Sequence, residues 1–346
     1  MKKLAASLLI VLVFAQCQKS EKLHPVSQTR ILMDTIVQIV LYQSGKTDEQ
    51  LQKIINQAFK RMEQIDSLTN NYSDSSQISF INKNASLHSV VVDSSLMSIL
   101  RLGKKMSHTT NGDFDMTIGA IKDLWQFQSE HPHVPDSNSI KYNLKFINYN
   151  LVELDDKEIK FKKSGVNLDL GGIAKGYAID EAIRIIKQAG VSDAMVNAGG
   201  DLRAICSDLT RGKRNIWVQH PRMHGKFVGH FQLDEASVAT SGDYERYFFQ
   251  DSVRYHHILD PKTGYPARKC VSVTVVTKYA MEADALATAI FVMGPERGMV
   301  FVNNLPDVQA LIIYQQNNKL KAVGSTQLMK KFRFSKNWNS GHFFKD

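Results

Sequence analysis

A chain of 346 residues with 43% hydrophobic and 22% charged side chains has the material for one large domain or two ordinary ones, which excludes a disordered or fibrous protein. Its net charge of +9 becomes +7 once Lys2 and Lys3 are set aside, and the remaining basic residues are scattered rather than run together. No nucleic-acid partner is expected from that pattern; anionic substrates or an anionic membrane surface fit it better.

Lys2 and Lys3 precede an apolar run, Leu4 to Ala15, that is too short to span a bilayer and reads as a secretory signal. Cys17 follows Phe14-Ala15-Gln16, where a bacterial lipoprotein signal places its lipidated cysteine, although Gln16 departs from the usual small residue. The expected organisation is a signal over 1–16, lipidated Cys17 with a polar tether over 17–29, and a single domain over 30–346. More than one acyl chain on Cys17 would give stable membrane anchoring. Cys206 and Cys270 then remain, either paired in an oxidising compartment or buried as thiols.

Met33 stands just before a β-branched strand, Thr35 to Tyr42. Thr47 and Gln50 form a capping-box signature. The helix after it carries Leu51, Ile54, Ile55, Ala58, Phe59, Met62 and Ile65 on one face. The polar segment NNYSDSSQISFIN reads as a loop, and its isolated Tyr72 is either ordinary loop or a ring that stacks on a planar ligand. A second helix is expected from Asp93 to Met106, ending in the Asn111-Gly112 turn. In GDFDMTIGAIKDLWQF, Asp113 and Asp115 are a carboxylate pair or helix caps. Trp125 and Phe127 line a pocket or pack in the core. From Ser129 to Lys163 the composition is polar, with strands and loops and no chemistry.

The stretch VNLDLGGIAKGYAID, Val166 to Asp180, organises the rest. It reads as a strand stopping at Asp169, a Gly171-Gly172 turn, and a helix opening near Lys175. Paired glycines let backbone approach a ligand, and a helix N-terminus with a lysine beside it suits a phosphate. The spacing matches neither GxGxxG nor GxxxxGK[ST], so a plain strand-to-helix turn stays open. DAMVNAGGD, Asp193 to Asp201, repeats the strand and double glycine, which suggests a pocket approached from two sides or simply paired turns. Ser237 to Tyr244 is a strand entering a turn. His257 stands at the mouth of an Asp-Pro-x-x-Gly turn, as a structural residue or as a general base. Ser272 to Thr277 is a strand. The apolar helix Met281 to Met293 holds Asp284 and, four residues on, Thr288. That aspartate caps the helix, or with Thr288 it supplies oxygen ligands to a hard cation.

Taken together and in order, these motifs resemble the FAD:protein FMN transferase (ApbE-like) family, over roughly Ile31 to Pro306. The motifs run from Tyr72–Asn82 and Gly112–Phe127 through Asp169–Asp180, Asn197–Asp201, Ala239–Arg246 and His257–Pro266 to Asp284–Thr288. The resemblance implies a single α+β catalytic domain of two interlocked lobes, with mixed or antiparallel sheets and flanking helices, and FAD bound between them. By family pattern Asp169 and Lys175 lie against FAD, and Met33, Tyr72, Leu124, Trp125 and Ile258 surround its flavin and adenine. The Gly172 carbonyl, Asp284 and the Thr288 hydroxyl hold Mg²⁺, and His257 is the base. The implied reaction cleaves FAD, releases AMP and attaches FMN to a Thr or Ser of an acceptor flavoprotein subunit in a membrane redox complex. The implied location is the membrane surface facing the periplasm. An FAD pyrophosphatase shares nearly all these motifs, although an aromatic at Tyr72 leans toward transfer. A lipoprotein that binds FAD without turnover would leave His257, Asp284 and Thr288 without purpose.

Overall fold

The computed structural model describes residues 25–42, 45–206, 213–336 and 338. The signal segment and Cys17 lie outside them. An eight-stranded sheet with antiparallel neighbours throughout forms the centre of the fold. In spatial order its strands are Val26–Leu32, Thr35–Leu41, Asp193–Ala198, Asp201–Cys206, Ala236–Gly242, Ser272–Thr277, Gln309–Gln316 and Lys319–Gly324. Antiparallel sheets commonly leave one face wet, and their strands then alternate in polarity. Here Ser272–Thr277 is buried at every position. Ala310 and Ile312 join one apolar cluster while Leu311 and Ile313 join another. Successive side chains point to opposite faces, so both faces of the sheet are covered at these central strands. The α+β class expected from the resemblance is the one found.

Helices Asp48–Thr69, Ala174–Gln188 and Ala280–Met293 cover one face. A three-stranded sheet of Arg214–Gln219, Phe227–Leu233 and Arg333–Phe334 covers the other. The first helix has the expected capping box: the Gln50 N–H donates to Thr47 Oγ1 at 3.3 Å, and the Thr47 N–H donates to Gln50 Oε1 at 3.0 Å. Its seven expected apolar positions are all buried. The second helix, Ser94–Thr109, is capped by Asp93. Cys270 is buried, which pushes its thiol up to about 12, and no disulfide joins it to Cys206.

Four segments differ from expectation, each for a local reason. Val26–Leu32 is a strand whose first four residues lie inside the expected tether; only alternate positions are half-buried, so its composition resembles a linker. Gln77–Asn84 is a helix within the expected loop, capped by Ser76 and holding just Ile78, Ser79 and Ile81 inside. Ser137–Asn143, in the region expected to be strands and loops, is a helix capped by Asp136. Residues 166–169 form no strand beyond one bridge from Asn167 to Ile118. The Asn82 amide replaces a strand partner there, accepting the Leu168 N–H at 2.8 Å and donating to the Leu168 carbonyl at 3.0 Å.

Candidate active site

A cavity of about 360 Å³ opens where these elements converge. Met33, Tyr72, Asp169, Gly172, Lys175, His257, Ile258, Asp284 and Thr288 all line it. Leu124 and Trp125 do not. Trp125 is fully buried, its indole N–H donating to the Gly264 carbonyl at 3.0 Å and its ring stacked on Phe127 at 5.7 Å. Leu124 is half-buried beside it, away from the cavity. Asp113, Phe114 and Asp115 stand on the cavity wall instead. Neither acid caps the helix Gly119–Trp125, which has no side-chain cap. Asp115 accepts the Thr117 N–H and hydroxyl and the Tyr149 N–H. Asp113, buried, is paired with Lys262 and Arg297.

One wall is built where helices Ala174–Gln188 and Ala280–Met293 meet. A Cβ on Gly176 would fall on the backbone of Ala280, so glycine is what lets the two helices touch. Asp180 then caps the second helix, accepting the Ala280 and Met281 N–H groups at 3.0 Å each, while Arg203 donates to it at 2.6 Å. With that cap supplied from elsewhere, Asp284 is no cap: it sits buried one turn in. Its Oδ2 accepts the Gly176 N–H at 3.1 Å, and its Oδ1 lies 3.6 Å from Lys175 Nζ. Lys175 also grips Asp201, whose Oδ1 accepts the Thr240 N–H at 3.0 Å.

Burial pushes the Asp284 carboxyl up to about 6, with Asp201 adding to the rise and Lys175 opposing it. Burial works against the Lys175 charge too, but Asp201 and Asp284 outweigh it and hold the ammonium protonated. Thr288 Oγ1 lies 3.4 Å from Ser241 Oγ, and a Cβ on Gly172 would stand 3.0 Å from it. Carboxylate, hydroxyl and adjacent backbone form a hard oxygen set. Among the described residues no group of three or more His, Cys, Asp or Glu could hold a metal. By its donor chemistry, the oxygen set of Asp284, Thr288 and Gly172 fits a hard cation such as Mg²⁺ that draws its other ligands from phosphate and water.

Another wall carries the histidine. Arg246 and His257 close the open end of a hairpin formed by Tyr247–Gln250 and Val253–His256. The Arg246 carbonyl accepts the His257 N–H at 3.0 Å and lies 3.2 Å from His257 Nδ1. That carbonyl assigns the proton to Nδ1, leaving the lone pair on Nε2. Burial above all, then the charges of Lys122, His256 and Arg246, pulls His257 down to about 3. It stands neutral at physiological pH, with the Nε2 lone pair unprotonated.

Lys122 donates to both oxygens of Asp169, at 2.8 and 2.7 Å. Burial pushes the Asp169 carboxyl up, but Lys122 and the Gly171 N–H outweigh it and hold it below the usual carboxylate range. Tyr72, expected as plain loop or as a ring that stacks on a planar ligand, lines the cavity at 58% exposure.

Lys122, Asp201 and Arg246 were not singled out from the sequence, yet all three line the cavity. Helical spacing holds the signal for Lys122. Ile121 and Trp125 share one face and enter the aromatic core, while Ile118 and Lys122 share the next face and reach the cavity.

The ApbE family model matches residues 33–312. The FAD:protein FMN transferase of Klebsiella pneumoniae is 33% identical, over 83% of this chain and 88% of its own. That of Treponema pallidum is 29% identical, over 89% and 90%. Among solved structures, the ApbE protein of Thermotoga maritima superposes with a TM-score of 0.81 at 34% identity, over 90% of this chain and all of its own. The flavin transferase ApbE of Vibrio cholerae gives 0.79 at 26%, over 89% and 99%. On the extent of these matches, the chain belongs to the ApbE family.

Proposed function

We propose that this chain is an FAD:protein FMN transferase that needs Mg²⁺ and acts on a hydroxyl of an acceptor flavoprotein. The observation that carries the reading is the placement of Lys175, Asp284 and Thr288 on one wall of a cavity whose other wall presents a neutral His257. The relatives named above carry this activity in their names.

A threonine or serine hydroxyl is a weak nucleophile near neutral pH. His257 Nε2 takes its proton as the oxygen attacks the FMN phosphorus. The bond from that phosphorus to the bridging oxygen breaks, and AMP leaves with the oxygen. Lys175 neutralises charge growing on the diphosphate. A bound Mg²⁺, held by Asp284, Thr288 and the Gly172 carbonyl, would supply the remaining electrostatic stabilisation. The acceptor is a subunit of a membrane redox complex, and a lipid on Cys17 keeps the enzyme beside it on the periplasmic side.

The test is incubation of the purified chain with FAD, MgCl₂ and a flavoprotein subunit of such a complex. Flavin fluorescence that stays with the denatured acceptor, and is absent when EDTA replaces MgCl₂, is the expected result. Free FMN and AMP without labelled protein would make the chain a pyrophosphatase instead.

A further inference from the structure

The resemblance sets the Asp169 carboxylate against the ligand, but its oxygens already have partners. Oδ1 accepts from Lys122 Nζ at 2.8 Å and from the Gly171 N–H at 2.9 Å. Oδ2 accepts from Lys122 Nζ at 2.7 Å and from Asn71 Nδ2 at 3.4 Å. A carboxylate has about four lone-pair sites, so four hydrogen bonds from these three groups leave it little capacity for another.

The two groups that meet on Asp169 Oδ2 are less committed. The Lys122 ammonium has three N–H donors and lines the cavity with its side chain 19% exposed. Asn71 also lines the cavity, and its Oδ1 is buried with no hydrogen-bond partner. Its Nδ2 donates to the Leu168 carbonyl at 2.8 Å, so exchanging O and N would set two oxygens against each other. The orphan acceptor is therefore Oδ1, and a buried acceptor left unpaired is costly. Tyr72, Ile118 and Ile258 supply ring and apolar surface to the same cavity.

We propose that Lys122 and Asn71 contact the ligand here beside Asp169, reading a heteroaromatic edge with a hydrogen-bond acceptor beside an N–H donor. Asp169 is a positioning residue that holds both. This rests on the reading of the chain as an FAD enzyme and specifies how that substrate is held. Two parts of FAD carry such an edge: the carbonyl and N3–H side of the isoalloxazine, and the ring nitrogen and amino group of adenine.

The experiment measures FAD, FMN and ADP binding by calorimetry with the detergent-solubilised full chain and with Lys122→Met. A hydrogen bond from a charged group corresponds to a roughly 10–100-fold loss of FAD affinity in the variant. A parallel loss for FMN alone assigns the edge to the isoalloxazine, and for ADP alone to adenine. Because Lys122→Met strands a buried carboxylate, Lys122→Met/Asp169→Asn is measured as well. If Asp169 acts through Lys122, the second change adds no further loss, and KM for FAD rises while kcat at saturation stays. Unchanged FAD affinity in both variants, beside a wild type that binds FAD, would overturn the contact and leave the transferase reading standing. Wild-type binding that depends on Lys122 but yields no flavin transfer would sink the transferase reading alone. A wild type that binds no FAD would sink both.

Discussion

The two walls of the cavity handle charge in opposite ways. On the helix wall two carboxylates, Asp201 and Asp284, face a single ammonium, Lys175, and Asp284 is pushed up to about 6. That wall has more anionic oxygen than its own cation can satisfy. On the hairpin wall the Lys122–Asp169 pair is matched one to one, and His257 is kept neutral. One wall awaits positive charge, and the other awaits a proton. Phosphoryl transfer to a hydroxyl uses both, and the division of labour can be broken one wall at a time.

The broadest effect is expected from Asp284→Ala, which should lose both rate and metal response. Lys175 and Asp201 would remain as a matched pair, and the surplus anionic oxygen would be gone. Loss of an electrostatic anchor of this kind lowers turnover by about 10²–10³-fold, and the rate should no longer depend on Mg²⁺. The measurement is a MgCl₂ titration of the rate of acceptor labelling. A variant that retains the wild-type midpoint and maximum would remove Asp284 from the metal site.

The hairpin wall is tested by His257→Ala. FAD affinity should persist while transfer falls by ~10²–10⁴-fold, the usual contribution of a positioned base. Calorimetry with FAD beside single-turnover labelling separates the two quantities. Equal loss of binding and rate would mean that His257 holds the ligand rather than the proton.

How far the sequence discloses each wall follows from the kind of interaction that builds it. The helix wall rests on local chemistry: a glycine pair, a lysine at the helix start, an acid inside the apolar run of Ala280–Met293. Each of these stands out along the chain, and so does the capping box at Thr47 and Gln50. The hairpin wall depends on contacts between distant segments. The helical spacing of GAIKDLW separates Lys122 from Trp125 but does not name their partners, Asp169 for the first and Phe248 and Tyr255 for the second. The absent strand at 166–169 is of the same kind, because its partner is the side chain of Asn82. Val26–Leu32 fails for a different reason: an edge strand exposed on alternate positions has the composition of a tether.

The smallest effect concerns stability, and it asks whether burial alone can keep a histidine of this hairpin neutral. His256, the residue before the base, is 4% exposed. Its Nε2–H donates to the Ala267 carbonyl at 2.7 Å, and its Nδ1 accepts the Ile258 N–H at 3.3 Å. A proton on Nδ1 would break the second bond. Burial foremost, opposed by the Ala267 carbonyl and Asp243 and aided less by Arg268 and Arg254, lowers this histidine to about 4. The folded state therefore binds its proton less readily than the unfolded chain does, where the imidazole titrates near 6.5. Stability from this group is complete above pH ~6.5 and is lost as pH falls toward 4, by roughly 3 kcal/mol in total. His257, also lowered by burial, acts in the same direction. His256→Gln keeps a donor for the Ala267 carbonyl and removes the titration, so its urea midpoint should fall less between pH 7 and pH 4.5 than that of the wild type. Parallel pH slopes for the two proteins would show that acid sensitivity comes from another part of the fold, and that the neutrality of the hairpin wall owes nothing to its burial.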